Sequence, residues 1–159
     1  MSGVLIIGYG NTLRSDDAIG VRSAESLAEF YRTNPDICVV TAQQLTPEMA
    51  RDIAEVGFVL FVDASADQPA GTICCEDLSS SESGALFTHQ CSPTALLDAA
   101  FVLYGRVPRA AVSLTMSGES FALGQELSQT VQAQMPKFLA QAKQIILQWL
   151  PHEANDPRK

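Results

Sequence analysis

At 159 residues, with 47% hydrophobic positions and no apolar run near the roughly 18 residues that span a bilayer, the chain is expected to be one globular domain with a sizeable core. Eighteen acidic residues against ten basic ones give a net charge of −8, which disfavours nucleic acid and anionic membranes and tolerates a cationic partner, protein or metal. Cys38, Cys74, Cys75 and Cys91 form no CxxC pair, which argues against structural zinc; the expectation is of reduced, mostly buried thiols.

MSGVLIIGYG enters a strand almost at once, without a basic leader or a cleavage site, so a cytoplasmic protein is expected. Val4–Ile7 is short and wholly apolar, as a strand buried on both faces is. Ser15 or Asp16 is placed to cap a helix over Ala18–Tyr31, where Val21, Ala24, Leu27, Ala28 and Tyr31 keep helical spacing. Asn34-Pro35 marks a turn before a second strand, Ile37–Thr41. Thr46-Pro47 opens a second helix, with threonine as N-cap and proline at the first helical position. Phe58–Val62 is a third buried strand that closes on Asp63, and Thr72–Cys75 a weaker one suited to an antiparallel edge. Asp77–Gly84 reads as a flexible loop.

Ser92-Pro93 repeats the cap-plus-proline device and starts a third helix, to about Tyr104. Ala111–Met116 is the last strand. Ser128 begins a helix to about Leu150 that Pro136 should kink or split, and residues 151–159 read as a flexible tail. This order predicts an α/β fold of three layers: a mostly parallel twisted sheet of about five strands with helices on both faces, in a single domain over residues 1–150.

In an open α/β sheet, ligands bind outside the carboxyl ends of the strands. Asn11, Asp16 and Asp17 follow strand one, Asp63 closes strand three, and His89 precedes the third helix. A carboxylate ending FVLFVD costs several kcal/mol in desolvation unless it is paired; accepting loop N–H groups is the alternative use. One of Asp16 and Asp17 serves as an N-cap, which leaves the other to point elsewhere. Two carboxylates and an imidazole then make an N/O site suited to a divalent metal such as nickel or zinc. Cys91 could add a thiolate, although burial is the commoner fate of a thiol, and His152 in the tail is set aside. GYGNTL is no dinucleotide fingerprint, because Leu13 replaces the third glycine and the acidic pair repels a pyrophosphate. Its glycines read instead as a tight turn with room above the strand.

GYGNTLRSDDAIGVR resembles the GxGNxLxxDDxxG signature of the nickel–iron hydrogenase maturation endopeptidases. QQLTPEMA at 43–50, FVLFVDAS at 58–65, THQCSP at 88–93 and LYGRVPRA at 103–110 agree in order and spacing. The resemblance implies an enzyme that removes a C-terminal extension from the precursor of a hydrogenase large subunit after nickel insertion. It implies catalytic and metal contacts at Asp17, Asp63 and His89, with nickel supplied by the substrate and no tightly bound resident metal. Asn11, Asp16 and Gln44 are the candidate substrate contacts. Some members have glutamate at the Asp17 position, and some carry the histidine directly after Ser-Pro, where this chain has Thr94. A non-catalytic nickel-sensing chaperone of the large subunit, using the same ligands, and a small nucleotide-binding α/β enzyme are the alternatives. No Ser–His–Asp spacing and no HExxH helix is present.

Overall fold

The computed structural model describes residues 2–80 and 91–151. Among the described residues, five strands, β1 (Val4–Tyr9), β2 (Ile37–Ala42), β3 (Phe58–Ser65), β4 (Ile73–Leu78) and β5 (Ala110–Ser117), form one sheet in the order β2-β1-β3-β5-β4. All pairings are parallel except β4 with β5. The helices α1 (Ile19–Phe30), α2 (Met49–Ala54), α3 (Pro93–Tyr104) and α4 (Gln129–Trp149) complete the three expected layers.

Alternation along each strand sorts the core. Val4, Ile6, Leu60, Val62, Leu114 and Met116 pack with α1 and α4. Leu5, Ile7, Val59, Phe61 and Ala111 pack with α2 and α3 on the other face. Strands with two apolar faces therefore become central, which explains why VLIIG and FVLFV are unbroken. The chain leaves β1 towards β2 by way of α1 on one face, whereas from β3 it passes in the opposite direction to the edge strand β4 and returns to β5 by way of α3 on the other face. The sheet thus has a topological switch point between β1 and β3, where a crevice opens beyond the strand ends.

Local devices depart from expectation at several points. No side chain caps α1; a 3₁₀ turn over Ser15–Ala18 leads into it. Thr46 is not the N-cap of α2, which starts after Glu48. Instead the Glu48 carboxyl bonds its own N–H and the Thr46 hydroxyl, which hold it below the usual glutamate range. β3 runs on to Ser65 and β4 to Leu78, because both stay laddered to β5 as far as Ser65↔Ser117 and Leu78↔Ala111. Asp77 is therefore strand, not loop. Its charge is tolerated because β4 lies at the sheet edge; the rest of that loop, from Ser81, and the tail from His152 lie outside the described residues. Pro136 does not split α4, which is one helix across it. Ser92 and Ser128 cap α3 and α4 as their sequences announce, accepting from the Ala95 and Val131 N–H groups.

The cysteines correct the expectation of burial. Cys38, Cys74 and Cys75 are exposed, since β2 and β4 are the two edge strands. Only Cys91 is half-buried.

Candidate active site

Glycine builds the crevice. A Cβ on Gly20, in the first turn of α1, would lie within 2.5 Å of the Tyr9 carbonyl oxygen and overlap that of Val62; one on Gly8 would overlap the Gly20 carbonyl. The bare backbones let α1 rest directly on the ends of β1 and β3. Gly10 adopts φ 144°, and a Cβ there would collide with the Asp17 carbonyl. The turn thereby folds back onto the acidic pair, and the Asn11 N–H donates to Asp17 Oδ2 at 2.7 Å. Asn11 Oδ1 accepts the Leu13 N–H at 2.9 Å, so this residue ties the loop to the carboxylate.

Asp63 arrives from the neighbouring strand. Gly8 pairs with Val62, so Tyr9 and Asp63 follow side by side on the α2/α3 face. The Tyr9 hydroxyl hydrogen-bonds the Asp63 carboxylate, and the Ala64 N–H donates to Asp63 Oδ1 at 2.7 Å. Burial, followed by the negative charge of Asp17, pushes the Asp63 carboxyl up to about 7 against the help of both hydrogen bonds. Burial and the Asp63 charge push the Tyr9 phenol upward in turn, so it stays a protonated donor. Sequence reasoning missed Tyr9, because only the β1–β3 pairing reveals its partner.

Asp16 and Asp17 diverge completely. Asp16 is fully buried, and its carboxylate accepts the N–H groups of Glu119 (2.8 Å), Ser120 (3.1 Å) and Ser128 (2.7 Å). It is neither the N-cap nor the substrate contact expected for it, since burial and these three donors leave its oxygens no approach. Burial opposes its ionisation, but the donated N–H groups outweigh that and hold its pKa below the usual aspartate value. Asp16→Asn should therefore cost about 3 kcal/mol of stability at pH 7, because one amide oxygen cannot replace a carboxylate facing three donors. The folded pKa is depressed, so this stabilisation is present above the unfolded aspartate pKa and fades as pH falls through the folded value. Urea titrations of both proteins should show the gap at pH 7 and see it close in acid.

His89 lies outside the described residues. Cys91, two positions on, packs against the α2/α3 core, and its charge bears on Tyr9. Burial, then the Glu48 charge, raise its thiol pKa, which disfavours a thiolate ligand. Among the described residues, no three His, Cys, Asp or Glu side chains cluster as a metal-binding group. Gln44 is exposed on the loop after β2.

Two grooves flank the aspartates. One of about 480 Å³ crosses β3, β5 and β4 and is lined by Asp63, Asp67 and Glu76 with Cys74, Ser113 and Thr115. The other, about 330 Å³, has no charged lining and holds Asn11, Thr12, Leu13, Val21, Thr41 and Gln43, the neighbour of the expected Gln44. Neither resembles a nucleotide site: the start of α1, where a phosphate would sit, is closed by glycine packing and acidic side chains.

No family model matches the chain. It is 28% identical over 161 residues to the hydrogenase 2 maturation protease of Escherichia coli (strain K12), across 95% of this chain and 97% of that one. The structure matches the hydrogenase maturating endopeptidase HybD from E. coli with TM-score 0.75 and 27% identity, over 92% of this chain and 93% of that one. It matches the fold of the NiFe hydrogenase maturation protease HycI from Thermococcus kodakarensis KOD1 with TM-score 0.70 and 23% identity, over 92% and 93%. End-to-end agreement in sequence and in fold, around a Gly-rich turn that brings the charge of Asp17 to bear on Asp63, makes the chain similar throughout to the hydrogenase maturation endopeptidases.

Proposed function

We propose that this chain, as a single domain over residues 1–150 acting in the cytoplasm, cleaves the C-terminal extension from the precursor of a nickel–iron hydrogenase large subunit after nickel insertion. The observation that carries the reading is Asp63, half-buried, set beside a second carboxylate and driven up to about 7. Such a site is electrostatically unfilled: burial and the Asp17 charge both oppose an ionised Asp63. A divalent ion brought by the substrate relieves both, so binding energy appears only when the precursor is loaded. That makes the metal a licence for cleavage as well as a participant in it.

Asp17 and Asp63 supply oxygen ligands, and His89 is the proposed nitrogen ligand. His89 is supported by its chemistry, as the imidazole of THQCSP, the stretch that leads into α3. Once docked, the nickel polarises the scissile carbonyl or acidifies an attacking water. Alternatively, an Asp63 that stays off the metal is matched, by a pKa raised to about 7, to accept a proton from that water. Tyr9 holds the carboxylate in place throughout.

Purified protein should cut nickel-loaded precursor and cut the nickel-free form at least roughly 100-fold more slowly, as read from precursor and mature large subunit on gels. Equal cutting of both would remove the metal from recognition. A stable complex with loaded precursor and no cut would leave the chaperone reading.

A further inference from the structure

Two leucines stand in solvent on neighbouring loops, Leu13 at 56% exposure, four residues before Asp17, and Leu123 at 79%. Single exposed leucines are unremarkable, but this pair is held in place. Leu13 and Leu123 immediately precede the partners of a parallel bridge, Arg14↔Gly124, and are therefore register neighbours. The Gly124 N–H donates to the Leu13 carbonyl at 2.9 Å, and the Ser15 N–H to the Gly124 carbonyl at 2.9 Å. The Ser15 hydroxyl donates to the Ala122 carbonyl at 2.8 Å, and Ser15 accepts a left-handed φ of 49° to do so. Beneath them the buried Asp16 carboxylate binds the loop at Glu119, Ser120 and Ser128. Loop tips are ordinarily polar and mobile. Here a buried charge, a strained backbone and a two-way bridge keep two apolar tips facing water.

Charge distribution selects the occupant. The groove on the Asp63 side is lined by Asp67 and Glu76, whereas the groove that Leu13 lines has no charged residue. On a chain of net charge −8, this groove is a neutral wall beside Leu13 against which apolar surface can rest, whereas the groove on the Asp63 side is acidic. It is also continuous with the reaction centre, because Asn11 lines it and grips Asp17.

We infer that Leu13 and Leu123 form the docking contact for an apolar patch on the folded precursor, beside the segment that enters the crevice. The inference rests on the proposed endopeptidase activity and adds to it how a folded substrate is held. Docking buries both leucines, so it sets KM; the aspartates perform the chemistry, so kcat is untouched.

The experiment is steady-state cleavage of purified, nickel-loaded precursor by the wild type, Leu13→Ser, Leu123→Ser and Leu123→Met. Each serine variant should raise KM about tenfold with kcat within about twofold and unchanged melting temperature, and Leu123→Met should restore a near wild-type KM. Serine variants with wild-type KM, or with reduced kcat at constant KM, would overturn the docking role while leaving the activity intact. A wild type that self-associates through this face, shown by light scattering that Leu123→Ser abolishes with KM unchanged, would assign the contact to a second copy and also overturn it. No cleavage by the wild type in the same assay would instead defeat the endopeptidase reading, and the docking role with it.

Discussion

Asp63→Asn should abolish processing of the loaded precursor, by roughly 10³-fold or more, and at the same time make the free protein more stable at pH 8. The two effects share one cause. The folded pKa of Asp63, about 7, stands above the aspartate value of 3.8. The folded state therefore keeps a proton that the unfolded chain loses between about pH 4 and pH 7. Stability attached to the protonated carboxyl is complete below the unfolded pKa and is lost as pH rises through the folded value. Above pH 7 the wild type carries a charge that its surroundings disfavour by roughly 4 kcal/mol. Asparagine is neutral at every pH and can still accept from Tyr9 and Ala64. In urea titrations the variant should match the wild type near pH 4 and exceed it increasingly up to pH 7, with a plateau beyond. A variant that loses activity and stability together at pH 8 would mark Asp63 as a structural carboxylate. The cost is that of keeping a ligand ionised and unpartnered until the substrate's cation arrives.

Gly20→Ala should be among the most damaging single changes outside the reacting groups. Helix propensity favours alanine by about 1 kcal/mol, so an exposed helix position would gain. At Gly20 the new methyl meets the Tyr9 and Val62 carbonyl oxygens, which are backbone atoms of β1 and β3 and cannot swing aside. Overpacking of this kind costs about 3 kcal/mol or more, which exceeds the propensity gain. Relief requires α1 to lift, and that carries Asp17 away from Asp63. We expect a fall in urea midpoint and, in the fraction still folded, a lower kcat. Ser26→Ala, exposed on the same helix, should be neutral or slightly stabilising, which separates packing from propensity. A Gly20→Ala protein with wild-type stability and rate would show that the close contact does not position the site.

Much of this arrangement was legible in the chain. Unbroken apolar runs at Val4–Ile7 and Phe58–Val62 announce central strands, because only a strand buried on both faces dispenses with alternation. Ser92-Pro93 announces a helix start because the cap and the missing N–H are local properties. Asp63 stood out because a carboxylate at the end of such a strand has no cheap environment. These features depend on a residue and its near neighbours in sequence, and so a one-dimensional pattern carries them.

What the pattern could not carry was which distant groups meet. Asp16 and Asp17 are chemically identical and adjacent, yet one is spent inside on the N–H groups of Glu119, Ser120 and Ser128 and the other faces the crevice. Their division depends on a loop more than 100 positions away. Tyr9 gains its role only because β3 lies beside β1, and three cysteines become exposed only because β2 and β4 fall at the edges. Strand order and the glycine-permitted contact of α1 with β1 and β3 are long-range outcomes of packing. Local sequence thus determined the elements and the chemistry on offer, and tertiary contact decided which aspartate was spent on buried N–H groups and which was not.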